Sequence, residues 1–251
     1  MTTRVLAIDT ATEACSAAIL VEGAVYERFL IAPRRHSALI LPMVEEVMAE
    51  AGVSLRQLDG LCFGRGPGSF TGVRIAAGVI QGLALASDLP VAPVSTLAAL
   101  AQGAFRPDGP ECIVAAFDAR MGEVYLGIYT MGGIEAPGAT GICAAATVQP
   151  LRPEAVIDPA AISASLPGAW TGVGSGFKTH GAALCKSLAG SPSRIEPETY
   201  PHARDVALLG LDTLRQGRGV RAEEALPVYL RDRVPWGSHA LGITCLGDHM
   251  G

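Results

Sequence analysis

The first thirty residues alternate short apolar runs with polar turns. VLAID at 5–9 reads as a buried strand, TATEA as a turn, and SAAILV at 16–21 as a returning strand. Glu22 and Gly23 make a tight turn into AVYERFLI at 24–31, whose alternation suits a third strand. The period then changes. Ser37 is placed to cap a helix through ALILPMVEEVMAEAG that stops at Gly52, with Pro42 in its first turn or two. GLCFG at 60–64 is another buried strand, followed by the glycine-rich loop GRGPGSFTG and a helix to about Ser87, capped by Ser69 or Thr71. VAPV at 91–94 is a strand, and Ser95 caps a helix over 96–104.

At 112 the pattern restarts. CIVAAFD is an apolar strand ending in aspartate, ARMGE a turn and VYLGIYT a returning strand, the same order as VLAID, TATEA and SAAILV. A restart of this kind is the mark of a duplicated fold. The junction GAFRPDGPE at 103–111 has the proline and glycine content of a boundary. The expected division is 1–103, 104–233 and an irregular tail over 234–251. In the second half, 131–167 reads as loops with a short helix near 159–166, and AWTGVG at 169–174 as a strand entering a second glycine turn. KTHGAALCKSLA and RDVALLGLDTLRQG are amphipathic helices, and LPVYL is extended.

The helix after the glycine loop is apolar nearly all round, with Arg74 and Gln81 its only strongly polar side chains between 73 and 86. Such a helix must be covered on both sides. Gly78, Gly82 and Ala86 form a small-residue ridge that lets another backbone approach. Ile75, Val79 and Leu83 form a bulky ridge suited to the sheet. The helix from 37 is also apolar beyond one face, through Leu39, Ile40, Leu41, Met43, Val44, Val47 and Met48. Two such helices point to an exposed patch that awaits a partner, with His36, Leu39, Ile40, Met43, Val47, Arg74, Gly78 and Gly82 as its expected residues.

Charge and chemistry narrow the function. The 251 residues are 49% hydrophobic and 17% charged, with 19 basic and 24 acidic residues and a formal charge of -5. That is a globular composition, and it argues against a stand-alone nucleic-acid binder. Six cysteines lie scattered without metal-ligand spacing, and His239, Cys245 and His249 sit in the aperiodic tail. The stretch 70–89 contains Arg74, Gln81 and Asp88, which argues against a membrane span, and MTTRVLAID leaves no room for a signal peptide; a cytoplasmic location is expected. The glycine loop has no lysine for a phosphate-binding loop and lacks the dinucleotide spacing.

LAIDTATEACSAAIL, RRHSALILP, GRGPGSFTGVRIAAGVIQGLA, FDARMGEVYLGIY and PVYLRD, in this order, closely resemble the TsaB (YeaZ) family. The resemblance implies an α/β, two-domain duplicated fold of the actin, hexokinase and heat-shock ATPase type (ASKHA), with mixed sheets flanked by helices. It further implies a non-catalytic subunit of the machinery that adds threonylcarbamoyl to N6 of the tRNA adenosine following the anticodon. The implied partners are a TsaD-like catalytic subunit and a TsaE-like ATPase, with a homodimer when alone and tRNA met only through the complex. Where TsaD-type relatives carry a metal-binding histidine pair, Thr96 and Leu100 stand here, so no metal ligand or catalytic residue is expected. Asp9, Thr10 and Thr12 match the fold's nucleotide turn, but Ala11 and Glu13 suit an anion poorly and only weak nucleotide binding is expected. ATP or ADP with magnesium would then belong to the partner-bound complex. The enzymatic alternative is an ATPase or small-molecule kinase of this fold, with Asp9 holding magnesium.

Overall fold

The structure, a computed structural model, describes residues 3–106, 109, 112–132, 146–164, 166 and 168–231. Readings that fall on 234–251, on Cys143 and on parts of 103–111 and 131–167 lie outside the described residues.

The first sheet contains β1 (Arg4–Asp9), β2 (Ala14–Val21) and β3 (Ala24–Ile31) as an antiparallel meander. β4 (Gly60–Gly64) and β5 (Val91–Val94) add in parallel on the other side of β1, in the order β3-β2-β1-β4-β5. Helix α1 (His36–Ala51) leads into β4, and α2 (Phe70–Ser87) joins β4 to β5. Both cover one face, over Leu6, Ile8, Ile19, Leu61 and Phe63. With α3 (Thr96–Ala104) the chain passes to the second sheet, built from β6 (Cys112–Arg120), β7 (Glu123–Met131), β8 (Val148–Pro150), β9 (Ala155–Ile157), β10 (Trp170–Val173) and β11 (Pro192–Glu196). Its order is β11-β10-β6-β7-β8, with β9 also on β7. α4 (Ser175–Ser187) joins β10 to β11, and α5 (Ala203–Arg215) follows β11.

The two sheets are topological copies. In each, a hairpin pairs antiparallel and two later strands add in parallel beside its first strand. The alternating faces explain why the central strands read as unbroken apolar runs: each is covered from both sides. Each half lends its last helix to the other. Leu97, Leu100 and Ala101 of α3 pack on Ile113, Ala115 and Phe117 of β6, while Val206, Ala207 and Leu211 of α5 pack on Val5, Ala7, Ala18 and Leu20 of the first sheet. A cut at 103/104 therefore separates the strands but severs the helices that complete each core.

Several local expectations need correction. Helix α1 begins at His36, one residue before the expected cap, and Arg35 stands at its N-cap without a side-chain bond. The His36 ring is buried, with Nε2 3.2 Å from the Ala14 carbonyl, which fixes the helix start where Ser37 would have set it. On α2 the sheet-facing ridge is Val73, Ala76, Ala77, Ile80 and Ala84; Ile75, Val79 and Leu83 lie half-buried beside it. The helix expected near 159–166 is a single 3-10 turn, Pro159–Ala161. Ser69 and Ser95 do cap α2 and α3, accepting from the amides of Gly72 and Ala98.

The chain from 216 to 231 forms a strap across these elements. Val220 bridges to Val91, the Gln81 amide donates to the Ala225 carbonyl (3.2 Å), and the Val228 amide donates to the Arg65 carbonyl (2.8 Å). Arg231 then bonds the Ala119 carbonyl (3.1 Å) and the Glu123 carboxylate, tying the strap to the β6–β7 turn.

Candidate functional site

The glycine loop after β4 lies directly on the β1–β2 turn. A Cβ on Gly68 would stand 2.4 Å from the Ala11 carbonyl oxygen, and one on Gly72 2.1 Å from that of Thr10. The Ser69 amide donates to the Ala11 carbonyl (2.7 Å), and the Thr10 hydroxyl donates to the Gly72 carbonyl (2.7 Å). These glycines allow backbone to rest on backbone. The second glycine turn does the same: a Cβ on Gly174 would stand 2.5 Å from the Ala116 carbonyl oxygen, and one on Gly176 2.7 Å from the Ala116 Cβ.

This packing decides the fate of the expected nucleotide residues. Asp9 is 1% exposed, with Oδ1 accepting from the Ala11 amide at 3.0 Å and Oδ2 buried without a partner. A Cβ on Gly64 would meet Oδ2 at 1.7 Å, so the carboxyl is sealed beneath that glycine. Burial pushes its pKa up to about 7, against the pull of the Ala11 amide and of His202. Thr10 is fully buried, and Thr12 spends its hydroxyl on the Ala14 amide (3.3 Å). A magnesium nucleotide, which the duplicated fold implies, does not fit at Asp9: the carboxyl is enclosed, and Thr10 and Ala11 beside it lie buried under the glycine loop. Thr96 and Leu100 are core as well; the Thr96 hydroxyl accepts from the Gly66 amide (3.1 Å) and Leu100 packs between α3 and the second sheet.

A cleft of about 630 Å³ opens where the turns of the two halves face each other. Thr12, Glu13, Arg34, His36, Gly68, Ser69 and Phe70 line it from the first half, and Asp118, Arg120, Tyr125 and Ser175 from the second, with Tyr229 and Arg231 from the strap. Asp118 is the positional twin of Asp9, yet it is reachable; its oxygens hold the Arg120 amide (2.8 Å) and lie 3.4 Å from the Thr179 hydroxyl. Sequence reasoning missed Arg34, Arg120, Tyr229 and Arg231. The ARMGE hairpin was legible as a turn, but not as one bank of a cleft that Arg34 faces from the other.

The expected docking residues divide. Ile40, Met43 and Val47 are buried in the chain's own core, and His36 is buried at the edge of the cleft; the outward side of α1 carries Leu41, Pro42 and Glu45 instead, with Leu39 half-buried. Gly78, Gly82 and Arg74 are exposed on α2, and a Cβ at either glycine would meet nothing within 4 Å. Phe70 and Leu85, 63% and 79% exposed, extend that face at both ends. The Arg74 guanidinium sits 3.4 Å from the Phe70 ring centre and 4.9 Å from that of Tyr229, a stacked cation at the head of the helix. By length and composition α2 is apolar enough to cross a membrane, but its Val73–Ile80–Ala84 side packs on the first sheet.

Known proteins resemble this chain along most of its length. A family model described as "TsaD: tRNA N6-adenosine threonylcarbamoyltransferase" matches residues 30–235. The "tRNA threonylcarbamoyladenosine biosynthesis protein TsaB" of Escherichia coli (strain K12) is 43% identical over 234 residues, 93% of this chain and 96% of that protein. The Haemophilus influenzae protein of the same description is 39% identical, across 92% of this chain and 94% of that one. Among solved structures, "YeaZ from Pseudomonas aeruginosa" superposes with a TM-score of 0.80 at 41% identity, covering 91% of this chain and 100% of that one.

Proposed function

Because this chain belongs to the TsaB family of tRNA threonylcarbamoyladenosine biosynthesis proteins, we propose that it acts there as a non-catalytic subunit that docks a TsaD-like catalytic subunit through the outer face of α2. The observation that carries this reading is internal to the fold. Helices α2 and α4 occupy equivalent places in the two halves, each joining the same pair of parallel strands. α4 exposes Lys178, Thr179, Ala182 and Lys186, as a solvated helix should. α2 exposes Phe70, Thr71, Gly78, Gly82, Leu85 and Ala86, apolar beyond its first turn, with Arg74 as its one charge. The architecture permits a polar face at this place, so the apolar one answers to something outside the chain.

In the same reading the α2 face pairs two copies of the chain when no partner is present, since a self-complementary patch closes under twofold symmetry. A TsaE-like ATPase joins the assembly, the work is cytoplasmic, and any ATP or ADP with magnesium serves the complex. The test is a pull-down of the TsaD-type subunit with Gly78→Leu and Gly82→Leu. Both sites are open, so the fold should hold while the added side chains keep the partner backbone away. Loss of capture with thermal stability kept or raised is expected, and capture at wild-type strength refutes the assignment. The rival, phosphoryl transfer at Asp9, would require that enclosed carboxyl to reach solvent, and a purified chain hydrolysing ATP at about one per second or faster would support it.

A further inference from the structure

We propose that the rim of the cleft contacts RNA directly, through Arg34 and Arg120 on opposite banks; this rests on the reading that the chain serves tRNA modification. Both arginines line the cleft and both are exposed. Both also hold a backbone conformation that favours glycine. Arg34 has φ +65 and follows Pro33 in a turn closed by the Arg35 amide on the Ala32 carbonyl (3.1 Å), an arrangement whose third position glycine usually fills. Arg120 has φ +64 at the irregular register that precedes the Met121-Gly122 turn. Glu22 and Asp88 share positive φ at a hairpin and a helix end elsewhere, and Met121, with φ +57, shares the turn of Arg120. What sets the arginines apart is that two such positions carry the same cation and face the same opening. Backbone strain at a cleft points to use.

The remaining rim fits a polyanion with unstacked bases. Among the described residues neither Arg34 nor the adjacent Arg35 has an ion pair, and Arg120 is only loosely held, 3.4 Å from Asp118. Phe70 and Tyr229 expose large ring surface at the mouth, bridged by the Arg74 guanidinium. Arginines for phosphates beside aromatic rings for bases are the usual equipment for single-stranded nucleic acid. Deeper in the cleft lie the carboxylates of Glu13 and Asp118. Cations at the mouth and anions within favour a chain of phosphates lying across the opening over a single phosphorylated molecule seated inside. The formal charge of -5 argues against tight binding by the chain alone, not against a local contact.

The experiment titrates the full chain into a fluorescent unmodified tRNA transcript at several salt concentrations, with Arg34→Gly and Arg120→Gly combined. Glycine suits both backbones, so the variant should keep the wild-type melting temperature or exceed it. Wild-type dissociation constants of about 10⁻⁴ to 10⁻⁶ M are expected at physiological salt and tighter ones at low salt, with binding weakened on the order of tenfold in the variant. The slope of log affinity against log salt should shrink by about 1.4, two phosphate contacts at single-strand values. An unchanged slope, or no wild-type binding at low salt, overturns the proposal. Equal affinity for polyglutamate overturns it too, and assigns the rim to an acidic protein surface. Gly78→Leu should leave the salt slope intact whether or not it abolishes partner capture, so the two readings fail separately.

Discussion

The same substitution six residues apart on α2 should move stability in opposite directions. Gly78→Ala places a methyl where nothing lies within 4 Å, in the interior of an exposed helical face. Alanine there gains helix propensity and restricts the unfolded chain, a stabilisation of about 1 kcal/mol. Gly72→Ala places the methyl 2.1 Å from the Thr10 carbonyl oxygen and 3.1 Å from its carbon, atoms of a buried backbone that no rotamer can move. The first turn of α2 must lift from the β1–β2 turn. That strains or breaks the Thr10 hydroxyl bond to Gly72 and the Ser69 amide bond to Ala11. Each bond is worth about 1 kcal/mol and the overpacking about 1–3 kcal/mol, against the same helix-propensity gain. A net loss of about 3 kcal/mol follows, a large part of the total stability of most domains. Urea denaturation followed by circular dichroism measures both variants. For a chain of this size the melting temperature should fall by about 6–12 °C for Gly72→Ala and rise by about 2–4 °C for Gly78→Ala. Equal effects, or a stable Gly72→Ala, would refute the account of why the loop is glycine-rich.

Two further expectations concern buried polar groups. The folded pKa of Asp9, about 7, lies above its ordinary 3.8, so the protonated form favours folding; stability held below about pH 4 is lost as pH rises through 7. Asp9→Asn should flatten that decline by a few kcal/mol in urea midpoints taken from pH 4 to 8, leaving a smaller slope from Asp205, which burial pushes up to about 6. A constant difference between variant and wild type across the range refutes the assignment. His36→Ala removes a buried ring and its bond to the Ala14 carbonyl, and should destabilise by about 2 kcal/mol in the same assay. A change under about 0.5 kcal/mol would return His36 to the surface, where an interface role is open to it.

The strand pattern was legible because covered parallel strands must be apolar at every position, as VLAID, GLCFG and CIVAAFD are. Ser69 and Ser95 were legible because a capping hydroxyl is a local requirement. β11, with the sequence PSRIE, carries no such signal; it is an edge strand whose partner β10 lies twenty residues back in the chain. The exchange of α3 and α5 between the sheets was equally silent. An amphipathic helix states that it has an apolar face, not which sheet the face will meet. The same limit explains the misplacement of Ile40, Met43 and Val47. Excess apolarity on α1 signalled two contacts, and one of them was the chain's own core. On α2 the identical signal did mark a bare face, and the difference lay in size: Gly78 and Gly82 are too small to fill a core, whereas Ile40 and Val47 are not.

Two groups of glycines contrast, those of the two glycine turns with those on the outer face of α2. Gly64, Gly68, Gly72, Gly174 and Gly176 are each demanded by an atom closer than 3 Å to where a Cβ would be. Evolution toward stability alone would retain every one. Gly78 and Gly82 meet nothing and cost about 1 kcal/mol each against alanine. Arg34 and Arg120 invert the case, since their backbones would be relieved by the glycine they lack, at a cost on the order of 1 kcal/mol each. Gly181 on α4 also meets nothing, and Glu22, Asp88 and Met121 also hold positive φ, so a forgone gain in stability does not by itself mark a site. Gly78, Gly82, Arg34 and Arg120 are set apart by where they lie, on the outer ridge of α2 and on the rim of the cleft beside its first turn. Asp9 is enclosed by the chain's own packing, whereas these four positions lie where other molecules would touch.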